Sequence, residues 1–481
     1  MVKKKKTKKK AVRKKRPRPL LAHAFTPKAY KGRKAVVLGL GKSGLAAAKL
    51  LARKGFRVFV SDSRPRRELR DIAKKLPASV RWEAGGHSDK ILDHHFIVKS
   101  PGIPHHTPIL AKAREAGMPV FSEVEVALAF APKIKVIAVT GTNGKTTTAT
   151  MTAAAFKSGR KKVHLLGNIG ETVSGSVSKL RKGDTVILEV SSYQLEDSRY
   201  FKPDAAAILN ITSDHLDHHG SMQAYVEAKT RIFRRQDHDN FCIFNTDDPL
   251  SFGLTRECRA RKIFFSRTPT NRSAAWLEKK KICLRMHGEK KTHKIAPPKI
   301  PGAHNLDNAM AAALLAACQG VKPAAIAKAF KNFKSVEHRL EDIGKVGNLL
   351  CLNDSKATNV DSTIAALRSL DDRAGKILLV LGGVQKPGGF KALRPHIETR
   401  VKAVFAIGNA APKIEEDLQG VTHVFPCGTL EQAVQVAYQI GQKGESLVLS
   451  PACASFDQFE SFGHRGRAFK DLVKKFGRKK R

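Results

Sequence analysis

The feature that most constrains this chain is a glycine-rich turn that follows an apolar run, Ile134 to Val139, and precedes an Ala/Thr-rich helical stretch. Glycines free backbone amides to surround phosphate oxygens, Lys145 adds a positive charge, and the Thr146 hydroxyl suits Mg²⁺. The turn departs from the GxxxxGK[ST] pattern because Val139 stands where the first glycine belongs. The sequence therefore predicts an α/β domain that starts near residue 132 and binds the phosphates of a nucleotide. The turn consists of Thr140, Gly141, Thr142, Asn143, Gly144, Lys145, Thr146 and Thr147.

A second glycine-rich turn, Gly39 to Gly44, lies between the apolar run Ala35 to Leu38 and the helical pattern Leu45 to Leu51. It fits GxGxxG, and Asp62 ends the next β-like run. Small residues let backbone amides approach a diphosphate at a helix N-terminus, and the acid can accept from a ribose hydroxyl. By itself the motif is a weak signal. It fits a dinucleotide such as NAD, another nucleotide diphosphate, or a tight turn without a ligand.

Apolar runs alternate with helix-length segments along the rest of the chain, a pattern typical of α/β folds with parallel sheets. A chain of 481 residues exceeds what one hydrophobic core usually organises. We predict an α/β fold with three domains: a Rossmann-like N-terminal domain (33–131), a central P-loop ATPase domain with a parallel sheet (132–335) and a Rossmann-like C-terminal domain (336–473). Basic tails are predicted at 1–32 and 474–481.

The chain is strongly basic, with 88 Lys and Arg against 42 Asp and Glu and a net charge of +46. Such a charge attracts phosphates, nucleic acid and anionic lipid alike. The run Lys3 to Arg18 carries no acid, yet its basic residues account for only part of the excess. The tails are either solvated and disordered or in weak contact with nucleic acid or a membrane.

The 7 cysteines are scattered and include no CxxC pair, so neither a disulfide framework nor a zinc site is indicated. No apolar run approaches the roughly 20 residues of a membrane span. The apolar patch behind the basic N-terminus, Leu20 to Phe25, is brief and does not match a secretory signal. We therefore expect a protein of the reducing cytoplasm, without a membrane span.

Two further positions are candidate ligands of a hard cation, which prefers oxygen donors. Glu189 ends a β-like run, and His215 lies in a polar loop beside Asp214 and Asp217. An exposed acid at a strand end and a structural histidine are the alternatives to a metal site.

Four segments together resemble the central ATPase domain of the Mur ligase family, whose phosphate loop reads TG[ST]NGK[ST] and so accommodates Val139. They are Thr140 to Thr147, Gly167 to Gly170, Glu189 to Glu196 and Asn210 to Asp217. Three more segments are similar to the branch that adds D-glutamate. They are Leu352 to Asn359, Gly382 to Lys386 and Ser450 to Phe459. The family activates a carboxylate as an acyl phosphate with ATP and then captures it with an amine.

The resemblance implies a set of site residues, grouped by ligand. UDP-substrate contacts are implied for Gly41, Lys42, Ser43, Asp62, Ser63, Arg64, Gly102 and Asn168. The resemblance thus indicates that the first domain binds a UDP-sugar and not NAD. ATP contacts are implied for Gly141, Thr142, Asn143, Gly144, Lys145, Thr146, Thr147, Asn305, Arg339 and Asp354. D-glutamate contacts are implied for Lys356, Thr358, Lys386, Ser455 and Phe462. Before the comparison, His304 and Asn305 fit equally a cap of the following helix.

The resemblance also implies one or two Mg²⁺ ions, held by Thr146, Glu189, His215 and Lys229. Lys229 matches a lysine that the family carries as a carbamate formed with CO₂. The chemistry is direct, because an ammonium cannot ligate Mg²⁺ whereas its CO₂ adduct is an anionic oxygen donor. The implied catalytic residues are Lys145, Glu189, His215 and Lys229.

The resemblance implies an enzyme that uses ATP to join D-glutamate to UDP-N-acetylmuramoyl-L-alanine for peptidoglycan synthesis. We expect the protein to be a monomer. Alternatives are a family member with another amino-acid acceptor, and a basic nucleic-acid-binding NTPase. The sequence contains no RRM, KH or zinc-finger signature, so nucleic acid is not an expected partner. An NAD-dependent oxidoreductase would leave the second phosphate loop unexplained.

Overall fold

The computed structural model describes residues 25–286, 289–300, 302, 304–370, 376–385 and 388–478, with the backbone alone of Asp217 and Arg478. Most of the predicted N-terminal tail, the last three residues and the predicted site residue Lys386 lie outside these ranges. The described chain forms three α/β units, each built on its own sheet. The predicted fold class is confirmed.

The first unit has a five-stranded parallel sheet in the order β3-β2-β1-β4-β5. Its apolar strands are buried on both faces, as parallel sheets covered by helices require. Its elements are α1 (Pro27–Tyr30), β1 (Lys34–Leu38), α2 (Lys42–Arg53), β2 (Arg57–Asp62), α3 (Arg66–Ala73), β3 (Arg81–Ala84), β4 (Phe96–Lys99), α4 (Pro108–Glu115), β5 (Val120–Ser122) and α5 (Glu123–Ala129).

The predicted N-terminal tail extends too far into the fold. Phe25 and Tyr30 are buried in the first core, with their rings stacked 5.2 Å apart. Both rings also pack against Phe96 of β4. Burying two aromatic side chains outweighs the basic character of their neighbours, so residues from 25 onward belong to the first unit.

The central unit has a nine-stranded sheet in the order β14-β13-β12-β11-β10-β9-β6-β8-β7, parallel from β12 to β7 and antiparallel at the β13 and β14 edge. Its elements are β6 (Lys135–Thr140), α6 (Lys145–Ser158), β7 (Val163–Gly167), α7 (Val173–Ser176), β8 (Thr185–Glu189), α8 (Ser192–Leu195), β9 (Ala205–Ile208), α9 (Leu216–His219), α10 (Met222–Thr230), β10 (Phe241–Asn245), α11 (Pro249–Gly253), β11 (Arg261–Phe265), β12 (Ser273–Glu278), β13 (Lys281–Leu284), β14 (His293–Ile295), α12 (His304–Ala317) and α13 (Pro323–Lys331).

Helix α6 is the structural centre of this unit. Its Ala and Met side chains are buried against α12, which is apolar around most of its circumference. Strands β6 and β8 are neighbours and run in the same direction, so the residues after Thr140 and at Glu189 meet at one edge of the sheet. The loop after β9 reaches the same edge.

The third unit has a six-stranded sheet in the order β15-β16-β20-β17-β18-β19, parallel except for β15. Its elements are β15 (Glu341–Val346), β16 (Leu349–Asn353), α14 (Val360–Arg368), β17 (Ile377–Gly382), α15 (Arg394–Arg400), β18 (Val401–Ile407), α16 (Ala411–Leu418), β19 (His423–Gly428), α17 (Leu430–Ile440), β20 (Ser446–Leu449) and α18 (Phe462–Arg478).

The predicted C-terminal tail also begins too early. Helix α18 continues to Arg478, and Phe476 is buried in the third core. An amphipathic helix can carry lysines on its outer face while its apolar face packs, which is why the basic composition misled the prediction.

Within the described residues, no helix is both long and apolar enough to cross a membrane. None of the seven cysteines forms a disulfide within the described residues.

Candidate active site

The glycine-rich turn after β6 packs directly against α12. Gly144 has φ 83°, and a Cβ atom there would lie 2.1 Å from Oδ1 of Asn308. Buried Asn308 accepts from the Thr148 hydroxyl and donates to Oδ1 of Asn305. Only glycine fits this conformation and this approach. Sequence reasoning missed Asn308, although it lies three residues beyond Asn305 on the same helix.

The loop after β9 holds the turn from the other side. Asn210 accepts from the Asn143 amide at 2.8 Å and donates to the Asn143 carbonyl at 3.2 Å. The Thr142 hydroxyl bonds to the carbonyl of Thr212 and to the phenol of Tyr225. These bonds fix the turn before any phosphate arrives.

Lys145 folds back over the turn that it follows. Its ammonium donates to the carbonyls of Gly141 and Thr142 at 2.8 and 2.7 Å. Burial lowers the pKa of Lys145, and neighbouring Arg339 lowers it further, while Glu189 opposes both effects. The ammonium therefore marks the position where an incoming phosphate oxygen would gain a charge-assisted hydrogen bond.

Glu189 is buried at the end of β8, and both of its oxygens have partners. Thr146 Oγ1 donates to Oε2 at 2.7 Å, and Asn168 Nδ2 donates to Oε1 at 3.0 Å. Burial opposes ionisation, but Lys145 and Asn168 nevertheless hold the pKa of Glu189 below its ordinary value. An ionised carboxylate beside a threonine hydroxyl is a donor set that fits Mg²⁺.

Two cations of the third unit reach this site. Arg339 Nη2 donates to Thr146 Oγ1 at 3.0 Å across 193 positions of sequence. Burial, reinforced by Arg339 and Lys145, lowers the pKa of Lys356 to about 8, against the opposing field of Glu189. Arg339, Lys145 and Lys356 thus gather around the Thr146 and Glu189 pair, which is a charge distribution suited to a polyphosphate. The structure therefore places Lys356 beside the phosphate loop as well as in the third unit.

Asp354 lies behind these cations, at the end of β16. Burial raises its pKa to about 7, although Ser450, Arg339 and the Leu340 amide favour the ionised form. Its side chain accepts from Ser450 Oγ at 2.8 Å.

Lys229 is 1% exposed and donates to the Gly141 carbonyl at 2.9 Å. Burial, with Lys145 nearby, lowers its pKa well below the ordinary value for lysine, while Asp214 opposes the shift. A neutral amine is the form that reacts with CO₂, so this position fits carbamate formation.

His215 lies in the same region with a left-handed backbone, φ 55°. Its ring packs 4.9 Å from the ring of Tyr193, and Nε2 lies 3.2 Å from Oδ2 of Asp214. Asn305 sits in the first turn of α12, where its side chain accepts from Asn308. Helix α12 begins at His304, so Asn305 is inside the helix and not before it.

The first glycine-rich turn is built around Asp62. Its carboxylate accepts from the Leu40 amide at 2.7 Å and from the guanidinium of Arg64 at 3.0 and 2.8 Å. Despite burial, these bonds lower the pKa of Asp62 to about 2. A Cβ atom on Gly44 would lie 1.8 Å from the Gly39 carbonyl, so the turn requires glycine there.

Most of the predicted UDP-substrate residues lie at the carboxyl edge of the first sheet. Asp62 and Arg64 are bonded to each other, Gly41, Ser63 and Gly102 lie in accessible turns, and Ser43 lies in the first turn of α2. Lys42 instead donates to the Gly170 carbonyl of the central unit at 2.6 Å. Asn168 lies beside Glu189, next to the phosphate loop.

A buried ion cluster that sequence reasoning missed joins the first and central units. Lys99, 1% exposed, contacts Glu196 at 2.7 Å and Asp197 at 2.9 Å. His218 and His219 also contact Glu196. Burial raises the pKa of Glu196, but the hydrogen bond from His218 and the charge of Lys99 outweigh it and lower the pKa to about 2. The ammonium of Lys99 occupies the position that a cation would take between these carboxylates.

Replacing Lys99 with methionine is expected to destabilise the contact between these units by about 3–5 kcal/mol, because two carboxylates stay buried without their partner. Calorimetry of thermal unfolding measures this loss of stability. Lys112→Met removes an exposed pair with Asp89 and should cost at most about 1 kcal/mol. If both substitutions changed stability equally, the buried Lys99 ion pairs would not stabilise the contact between the first and central units.

Two of the predicted acceptor residues, Lys356 and Phe462, lie close together at the start of α18. Lys356 Nζ lies 5.9 Å from the ring of Phe462, which is 38% exposed, and Ser455 is buried in the loop after β20. Thr358 bonds through its amide to the Lys356 carbonyl.

Buried Arg465, also missed from the sequence, holds this region together. It donates to the hydroxyl and carbonyl of Ser355 and to the Cys453 carbonyl, each at 3.0 Å. Further bonds go to Gly382 and Ala454. Burial lowers the pKa of Arg465 to about 10, which still leaves the guanidinium charged.

Arg465→Met is expected to destabilise the third unit by about 3–5 kcal/mol, because several buried carbonyls lose their donor. Urea unfolding monitored on the third unit tests this. Arg467→Met changes an exposed arginine on the same helix and serves as the control. A loss below about 1 kcal/mol for Arg465→Met would refute its organising role.

Comparisons with known proteins agree with this geometry. Three family models match the chain: the Mur ligase MurD-like N-terminal domain at 33–122, the Mur ligase middle domain at 139–316, and the Mur ligase glutamate ligase domain at 338–453. Each match lies within one of the predicted domain ranges, whose boundaries themselves stay predictions.

Relatives of similar length share much of the sequence. The UDP-N-acetylmuramoylalanine–D-glutamate ligase of Elusimicrobium minutum is 45% identical over 94% of this chain and 99% of its own length. The protein of the same name from Acidobacterium capsulatum is 44% identical over 92% of this chain and 96% of its own.

Solved structures share the fold at lower identity. UDP-N-acetylmuramate-alanine ligase of Thermotoga maritima aligns with a TM-score of 0.56 and 19% identity over 92% of this chain and 99% of its own. The MurF ligase of the same organism, in complex with ADP, aligns with a TM-score of 0.57 and 15% identity over 88% and 96%. The three domain matches and the full-length identities show that this chain belongs to the Mur ligase family.

Proposed function

We propose that the chain uses ATP to form an amide bond between the alanine carboxylate of UDP-N-acetylmuramoyl-L-alanine and the amine of D-glutamate, in the cytoplasm. The observation that carries the proposal is the convergence of Lys145, Arg339 and Lys356 on the Thr146 and Glu189 pair at the phosphate loop. The names of the full-length relatives supply the substrates.

In this proposal, Asp62 and Arg64 hold the uridine end of the first substrate, and the loop with Asn168 receives its carboxylate end. The carboxylate oxygen attacks the γ-phosphorus of ATP, the bond to the bridging oxygen breaks, and ADP leaves. Lys145 and Arg339 stabilise the negative charge that develops around the transferred group. Bound at Thr146, Glu189, His215 and the Lys229 carbamate, Mg²⁺ would supply further charge neutralisation.

The acyl phosphate then reacts with the neutral amine of the acceptor. The new C–N bond replaces the C–O bond to phosphate, and the amine loses one proton. Cations suit a dicarboxylate acceptor, and the third unit supplies Lys356 and Lys386 for this purpose. Because acceptor and ATP contacts come from one unit and the acyl donor contacts from another, closure of the units precedes chemistry.

The test is phosphate release by the purified protein with ATP, Mg²⁺ and UDP-N-acetylmuramoyl-L-alanine. D-glutamate, L-glutamate, L-alanine and meso-diaminopimelate are compared as acceptors. Release that depends on D-glutamate supports the proposal. Release with another amino acid would keep the reaction type but refute the acceptor, and no release with any of them would refute the ligase.

A variant separates the two roles open to Lys356. If it holds the acceptor, Lys356→Met raises KM for D-glutamate with little change in kcat. If it holds phosphate, kcat falls instead. Lys334→Met, an exposed lysine near the start of the third unit, is the control.

A further inference from the structure

The central unit contains a concavity of about 440 Å³ that the proposed reaction does not use. Five guanidinium groups and a single carboxylate line it. The lining residues, here called the arginine pocket, are Arg199, Arg231, Arg234, Arg235, Glu257 and Arg259.

The arginine pocket lies at the opposite edge of the sheet from the phosphate loop. Arg199 precedes β9, Arg235 precedes β10 and Arg259 precedes β11. These three strands are parallel, so the segments before them gather at their amino ends. The phosphate loop and Glu189 follow strands of the same sheet and lie at the carboxyl ends. The pocket is therefore separate from the candidate active site.

Few ion pairs within the protein balance these arginines, although buried Glu125 interacts electrostatically with Arg199 and Arg235. Arg234 lies 3.4 Å from Glu227, and Arg231 donates to the Glu196 carbonyl. Among the residues that the structure describes, Arg199, Arg235 and Arg259 have no carboxylate within salt-bridge distance.

The arginines instead repel and orient one another. Arg235 stacks 4.8 Å from the ring centre of Tyr200 and donates to the Arg199 carbonyl, which fixes its direction. Burial lowers the pKa of Arg231, and Arg199 and Arg234 lower it further, whereas Asp197 and Glu227 oppose the shift. Gathering like charges in one concavity is costly unless an anion from solution offsets it.

We propose that the arginine pocket binds a compact polyphosphate, the chemistry shared by inorganic polyphosphates and the phosphate chain of a nucleotide. Guanidinium forks match phosphate oxygens in pairs, and several forks around one concavity favour a multiply charged ligand over a single phosphate. This site is independent of the ligase assignment.

The test is isothermal titration of the full chain with sodium tripolyphosphate, orthophosphate and a short single-stranded oligonucleotide. The variant Arg199→Gln/Arg259→Gln removes two exposed charges of the pocket, and Arg67→Gln/Arg70→Gln removes two exposed charges of the first unit. Thermal melting verifies that both variants fold. We expect tripolyphosphate binding to weaken by at least about tenfold in the pocket variant alone, because charge-assisted hydrogen bonds are lost.

Binding at the phosphate loop would persist in both variants, so the comparison isolates the pocket. Equal titrations of the wild type and the pocket variant would overturn the proposal. If orthophosphate bound as tightly as tripolyphosphate, the proposed preference for a multiply charged ligand would be wrong. Oligonucleotide binding that is tighter than tripolyphosphate binding and is lost in the same variant would overturn the small-anion class in favour of nucleic acid.

Discussion

Replacing Lys145 with methionine is expected to lower kcat/KM for the ATP-dependent reaction by about a thousandfold or more, the usual loss when a preorganised charge at a transferred phosphoryl group is removed. Methionine keeps most of the side-chain volume but neither the charge nor the donors. The ammonium donates to the carbonyls of Gly141 and Thr142, two buried residues, so the variant also loses these two hydrogen bonds.

The measurement is initial-rate phosphate release at varied ATP concentration. Lys157→Met lies on the same helix, α6, with an exposed side chain, and controls for loss of a lysine there. If Lys145→Met retains rates within about tenfold of the wild type, the central role of this lysine is wrong.

Lys229→Met is expected to lower kcat by about a thousandfold, because a metal ligand formed from its carbamate would be lost and metal ions contribute several kcal/mol of charge stabilisation. The physical basis is the environment of the amine. It is 1% exposed, and burial together with Lys145 favours the neutral form that can add CO₂. Methionine fills a similar volume without a polar amine at this buried position, so folding should not suffer beyond the loss of one donor to the Gly141 carbonyl.

A second readout distinguishes carbamate loss from a structural effect. Wild-type protein equilibrated with ¹³C-bicarbonate should show a carbamate carbonyl resonance that Lys229→Met lacks. Lys202→Met, an exposed lysine of the same unit, should keep both resonance and activity. Full activity of the wild type after removal of CO₂, with no such resonance, would exclude the carbamate.

The two substitutions also separate two functions of one turn. Lys145 and Lys229 both donate to the Gly141 carbonyl, at 2.8 and 2.9 Å. After burial, the positive charge of Lys145 is the next cause that lowers the pKa of Lys229. Lys145→Met should therefore raise the pKa of Lys229 and weaken carbamate formation, so the effects of a double substitution should not add.

Local patterns in the sequence determined much of this protein. The alternation of apolar runs and helical segments was enough to predict three α/β units, because strands and helices have different hydrophobic periods. The two glycine-rich turns were also predictable from local sequence. Their geometry depends on a few neighbouring residues, and Gly144 and Gly44 do hold conformations or contacts that exclude a Cβ atom.

Composition was a poor guide at both ends of the fold. The basic segments predicted as tails contain Phe25, Tyr30 and Phe476, which are buried. A few aromatic side chains gain enough from burial to order a segment whose average composition is polar.

Only the tertiary structure decided which distant residues meet. Arg339 reaches Thr146 across 193 positions, Arg465 reaches Ser355 across 110, and Lys99 reaches Glu196 across 97. Read alone, each of these is an ordinary basic residue in a chain that has 88 of them. Burial and a facing carboxylate, hydroxyl or carbonyl give each its role, and those partners are set by how sheets and helices pack rather than by any local pattern.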